Sequence, residues 1–234
     1  MATKRRAPDE TAEQRRKRIA LWTQSIVTRE ILLARAAEAV RRDAAIEWTR
    51  EVAVPVIQRA AMRLATFEPR GHTATPVLYP QIGAIQRDLA ATIDSGALRV
   101  QVSLRDQLLR LADTETEWVT RTGAEALGVP PPSTRITILR PLPVVLERLP
   151  FLGKTFERWF GDFVQRPAKE RVEAFLQQSL QRGLTTDEIV RGLRGTKAKA
   201  YADGIVTGRS RHEVRTLART AATAWTAQRR EEAL

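Results

Sequence analysis

Few side chains in this sequence could make or break bonds, and many could hold an anion. Cysteine is absent and only His72 and His212 carry imidazole. That removes thiolate nucleophiles, disulfides and any metal site built on several histidines. Carboxylates clustered for catalytic metal ions are not found at usable spacing. Glu115 falls on an apolar helical stripe, where it reads either as a catalytic carboxylate or as half of a helix-to-helix ion pair. Nothing nearby supplies the second carboxylate or histidine that acid–base work needs, so the ion pair is the favoured reading. Gly192, Gly195 and Lys197 lie close together but lack the spacing of a phosphate-cradling loop. No enzymatic activity and no cofactor are expected.

Recognition of a polyanion is the chemistry that remains. The chain holds 39 Lys and Arg against 27 Asp and Glu, a net charge of +12. Such a field draws nucleic acid first, then acidic protein surfaces or anionic membrane. A high-arginine composition spread over the whole chain would produce part of the same excess. The candidate DNA-contacting residues are Arg15, Arg16, Lys17, Arg18, Arg191, Arg194, Lys197, Lys199, Arg209, Arg211 and Arg215. Arg211, Arg215 and Arg219 step four apart along one helix face; Arg219, beside the apolar stripe, is the candidate for an internal pair. Lys197 and Lys199 fall in a loosely patterned stretch from Arg194 to Gly208, read as a flexible loop suited to non-specific phosphate contact.

The elements that position these residues read as helices, so the fold class is mainly α and multi-helical. Long amino-terminal helices are followed by a smaller helical carboxy-terminal domain. Residues 1–18 form a basic arm that can pass into the first helical turns. Residues 19–127 form a helical domain, 128–150 a Pro-rich linker, and 151–234 a second helical domain. From Ile19 to about Arg50, Trp22, Ile26, Leu33, Ala37, Val40, Ala44 and Trp48 make one stripe. Pro55 should end or kink that helix. Ile82 to Ile93 predicts a helix stopping at Asp94-Ser95-Gly96, and a long helix runs roughly from Leu98 to Leu127. Thr134 to Leu139 allows one short extended segment. Pro167 suits the first turn of a helix that stops at Gly183. Thr185 with Glu188, and Ser210 with Glu213, have the form of capping boxes. After the second of these, Val214, Leu217, Ala218, Ala221 and Trp225 recur at helical spacing. No window holds ~18 uninterrupted apolar residues, so no membrane span is expected, and the amphipathic start does not fit a signal peptide.

Two functional classes compete. Residues 185–194 also have the polar cap and apolar anchors of a recognition helix, with Arg191 and Arg194 facing base edges. That would make the chain a helix-turn-helix-like DNA-binding regulator, although Gly192 sits within the short helix.

The other class enters through a resemblance. Phe151 and Gly153 with Trp159-Phe160, then Gly183 with Glu188 and Gly195, then Asp203-Gly204 and Arg219-Thr220, stand in an order that resembles the phage head-morphogenesis, or minor head protein, family related to the Mu F protein. The resemblance covers residues 149–232. Two departures stand out: Ala221 follows the Arg-Thr pair where many members have Glu, and Ala224-Trp225 stands where an Asn is common. What the resemblance implies is a structural minor head protein of a tailed bacteriophage virion, made in the host bacterial cytoplasm and bound to the portal protein inside the capsid. It implies a role in head assembly, DNA packaging or DNA delivery. The partners it implies are portal protein and non-specific double-stranded DNA, with other copies of the chain or major capsid protein as further candidates.

Overall fold

A computed structural model describes residues 11–66, 79–127 and 154–233. The regular elements among these are helical: α1 (Ala12–Trp48), α2 (Val54–Ala65), α3 (Tyr79–Leu127), α4 (Phe156–Phe160), α5 (Arg166–Gln181), α6 (Thr186–Arg194) and α7 (Ser210–Ala233). Residues 134–139, the segment read as extended, lie outside the described residues, as do Phe151 and Gly153. Part of the basic arm is helical: Ala12–Arg18 open α1, and Thr11 caps them in a capping box with Gln14.

Ahead of Pro55 the first α-helix gives way to a wider helical turn, so the proline interrupts the helix without breaking the chain out of it. π-helical turns at Thr49–Ala53 and Gly161–Gln165 carry the backbone from α1 into α2 and from α4 into α5. Pro55 and Pro167 each sit in the first turn beyond. Within a regular helix a proline ring clashes with the carbonyl four residues back and leaves it unpaired, and the wider π turn gives that carbonyl room to lean out. For Pro55 the carbonyl is that of Glu51, which Arg99 Nη2 approaches to 3.5 Å while Arg99 Nε donates to the Glu51 carboxylate at 2.7 Å.

The expected stop at Asp94-Ser95-Gly96 is overturned, because α3 runs unbroken through it. Gly96 is instead where α3 crosses the π turn. A Cβ there would stand 2.2 Å from the Glu51 carbonyl oxygen and 2.9 Å from Val52 Cγ2. A glycine that reads as a helix stop is thus a glycine of close approach.

The core does not follow the expected division into two helical domains. Trp48, Val52 and Leu64 from the first half and Phe160, Leu193 and Trp225 from the second belong to one buried cluster. The long helices α1, α3 and α7 pack on one another in all three pairings. Two polar ties fix their register. Trp48 Nε1 donates to the Val206 carbonyl at 3.1 Å, joining α1 to the turn before α7. The fully buried carboxylate of Glu115 on α3 accepts from Arg29 Nε of α1 at 2.8 Å and from Arg230 Nε of α7 at 2.6 Å. Arg29 also lies 5.6 Å from the centre of the Trp118 ring, within cation–π range. Glu115 is therefore an ion-pair residue at the junction of three helices.

Candidate polyanion-binding groove

The approach to α7 differs from the expected capping box. Ser210 already has helical φ and ψ of −65° and −35°, because a π-helical turn, Ile205–Arg209, starts the helix from Gly204. The side chains of the expected cap serve α5 instead. Arg171 grips the Glu213 carboxylate with Nη1 and Nη2, both at 2.6 Å, and Nη2 also donates to Ser210 Oγ at 2.9 Å. The capping box of Thr185 and Glu188 does form, with bonds in both directions, and the Thr185 amide holds the Glu188 carboxyl below the usual range.

The stripe predicted for α7 is its buried face: Val214, Leu217, Ala218, Ala221 and Trp225 are all at most 3% exposed. Its flank turns toward α1. With Glu213 committed to Arg171, the arginines beside it have no acid of their own turn to neutralise them. Arg211 and Arg215 meet Arg42 and Arg50 of the α1 end across a floor of Ala45, Ile46 and Val54. Arg215 continues into a second stretch of the same seam, where Arg41, His212 and Arg219 stand among the hydroxyls of Thr216, Thr220 and Thr223.

Charge pairing within this groove is lopsided. On the α1 side Arg41 pairs with Glu38 at 2.5 Å, Arg42 with Asp43 at 3.5 Å and Arg50 with Glu51 at 2.8 Å. On the α7 side no ion pair within 4.0 Å is found for Arg211, Arg215 or Arg219 among the described residues. The hydrogen bond from Arg41 holds the Glu38 carboxyl below its ordinary range, with Arg215 and Arg219 adding to this through space. The shielded Nε atoms of Arg41 and Arg215 have no partner. Arg219 is exposed and lines the groove, and the internal pair expected for it is not found among the described residues.

The other candidates are placed elsewhere. Arg15 and Arg16 are exposed at the far end of α1, Lys17 pairs with Glu13 at 2.8 Å, and Arg18 is half-buried. About 25 residues separate Arg16 from Arg41, or ~37 Å along a helix. Arg191 and Arg194 are exposed on α6, which packs on α2 and on the turn before α7. Gly192 makes room for a ring: a Cβ there would lie 2.2 Å from Phe175 Cζ. Lys197, Lys199 and Arg209 are exposed, and Lys199 lies 4.0 Å from Asp203.

The stretch that carries the two lysines is not loose. Asp203 accepts from the Thr196 amide at 2.8 Å and hydroxyl at 2.9 Å, and the amide bond holds its carboxyl below the usual range. The Thr207 hydroxyl lies 2.5 Å from the Arg194 carbonyl oxygen and 2.9 Å from that of Tyr201. Gly195 has φ of 85°, and a Cβ on Gly204 would stand 2.3 Å from the Arg194 carbonyl oxygen. These bonds join segments up to 13 residues apart, beyond the reach of any helical period.

The motif residues therefore divide by task. Trp159 and Phe160 are core, Gly183 turns the chain after α5 with φ of 67°, Glu188 caps α6, and Gly195, Asp203 and Gly204 knit the loop. Among the described motif residues, Arg219 and Thr220 alone line the groove. Sequence reasoning missed Arg41, Arg42 and Arg50; their spacing against the apolar stripe of α1 was the available signal. The chain matches no family model, no curated protein and no solved structure. Among the described residues no three His, Asp or Glu side chains converge to hold a metal ion, and no helix is long and apolar enough to cross a membrane.

Proposed function

We propose that this chain is a structural minor head protein of a tailed phage, held at the portal vertex inside the capsid. In this reading it contacts packaged double-stranded DNA, without sequence preference, through the groove between α1 and α7. The virion, portal and localisation parts rest on the resemblance of residues 149–232. The DNA part rests on one observation: Arg211, Arg215 and Arg219 line a solvent-open seam without ion-pair partners, opposite three more guanidinium groups. Such a row suits phosphates, which need charge and position but no base-edge geometry.

Two experiments test the two parts separately. Binding of the purified chain to duplex DNA should weaken steeply with salt and ignore sequence. Replacing Arg211, Arg215 and Arg219 together by glutamine should make the slope of log K against log salt shallower by about 3, nearly one for each phosphate left unneutralised. An unchanged slope removes the groove from the interface. A base-specific footprint centred on α6 would favour the regulator reading instead. For the virion part, imaging of the portal vertex in intact particles should show the chain inside the head; particles that contain none of it refute the assignment.

A further inference from the structure

The first part of α1 is apolar on two sides. Its inward stripe, with Ile26 and Leu33, leans on α3 and α7, yet none of its residues before Ala44 is buried. On other sides Leu21 is 68% exposed, Val27 57%, Ile31 52% and Leu32 49%. A helix that is apolar on more than one side is normally covered on more than one side.

Charge along this outer side says what covers it. At ~100° per residue, Glu13, Lys17, Ala20, Gln24, Val27, Ile31, Arg35, Glu38 and Arg42 fall in one row spaced much like a coiled-coil seam. The row is charged at Glu13 and Lys17, uncharged from Ala20 to Ile31, and charged again from Arg35 to Arg42. Glu13, Lys17, Glu38 and Arg42 have side chains 77%, 74%, 55% and 69% exposed. We propose that this outer face of α1 pairs with the same face of a second copy of the chain, antiparallel, about a two-fold axis between Val27 and Thr28.

The register follows from the residues. A two-fold contact sets residue i against j and j against i. With the axis there, Glu13 stands opposite Arg42 of the second copy, Lys17 opposite Glu38, and Ile31 opposite Gln24, while Val27 meets Thr28 at the centre. Ala20 lets the helices approach, and the Arg35 stem lies over it. The row spans roughly 44 Å of helix. A parallel pair would put Glu13, Lys17, Glu38 and Arg42 each against its own copy, so charge selects the antiparallel arrangement. The present neighbours, Lys17 for Glu13 and Arg41 for Glu38, leave carboxylate lone pairs for the second copy. Pairing also brings Arg15 and Arg16 of one copy toward the groove of the other. Added to a net charge of +12 on each chain, this repulsion makes self-association strengthen with salt, opposite to the salt response of DNA binding.

Sedimentation equilibrium of the full chain tests this. A dimer is expected, tighter at higher salt. Val27→Glu with Ile31→Glu should give a monomer of unchanged helicity, since both sites are solvent-exposed. Lys17→Glu and Glu38→Lys should each weaken pairing about tenfold, because each dimer holds the contact twice, and the double variant should restore it. A monomeric wild type overturns the proposal, whether the face then proves to bind lipid vesicles, a different protein or another segment of this chain. So does a dimer indifferent to Val27 and Ile31, or a double charge exchange that fails to restore pairing.

Discussion

Glu115 shows how much one carboxylate can decide. It is fully buried, and the two guanidinium groups that reach it come from residues 86 and 115 positions away in sequence. A charge withdrawn from water to this extent persists only because opposite charge meets it there. Replacing Glu115 by Gln leaves Arg29 facing an uncharged amide and Arg230 with Glu30 alone, with a loss of about 3 kcal/mol expected in chemical denaturation. Removing the buried charges together, with Glu115 changed to Leu and Arg29 and Arg230 to Met, should recover much of that loss, since Glu30 then loses its Arg230 partner only at a half-exposed position. If Glu115→Gln alone is neutral, the network is not what registers the three helices.

Among the elements, α3 is the one whose glycines separate by role. A methyl group placed on Gly83 or Gly123 would have nothing within 4 Å, whereas at Gly96 the backbone of the π turn would stand 2.2 Å from it. Alanine gains roughly 0.5–1 kcal/mol over glycine within a helix. Gly83→Ala and Gly123→Ala should therefore raise the melting temperature by a few degrees. Gly96→Ala must push the crossing apart, at a cost of typically 1–3 kcal/mol for overpacking, which exceeds the helix-propensity gain. Thermal melts of the three variants should give opposite signs. A stabilising Gly96→Ala would mean that the π turn yields freely.

At the scale of the whole molecule, one core is shared by helices from both halves of the chain. The apolar face of α7 packs mainly on α1 and α3, with Phe156 set against Trp225 at 5.4 Å from within the second half of the chain, so residues 151–234 by themselves would leave much of that face open to water. That segment, expressed alone, is expected to show no cooperative unfolding transition by circular dichroism. A sharp melt with native-like helicity would restore the division into two independent domains. The same shared core places the basic groove: Trp48 seats α1 against the turn at Val206, and Arg42 and Arg50 then face Arg211 and Arg215.

Helical class, the buried stripe of α7, the cap at Thr185 and Glu188 and the place of Pro167 were legible in the sequence, because each depends on residues within one or two turns of one another. The fate of Gly96 and of Ser210 with Glu213 was not. A glycine after Asp-Ser reads as a stop until another backbone lies against it, and a capping pair reads as a cap until Arg171, about 40 residues upstream, takes both side chains. The groove is of the same kind. Spacing alone marks Arg211, Arg215 and Arg219 as one row, but which arginines stay unneutralised depends on carboxylates brought in by other helices. Periodicity is a local property of the chain; the pairing of charges is settled only where distant segments meet.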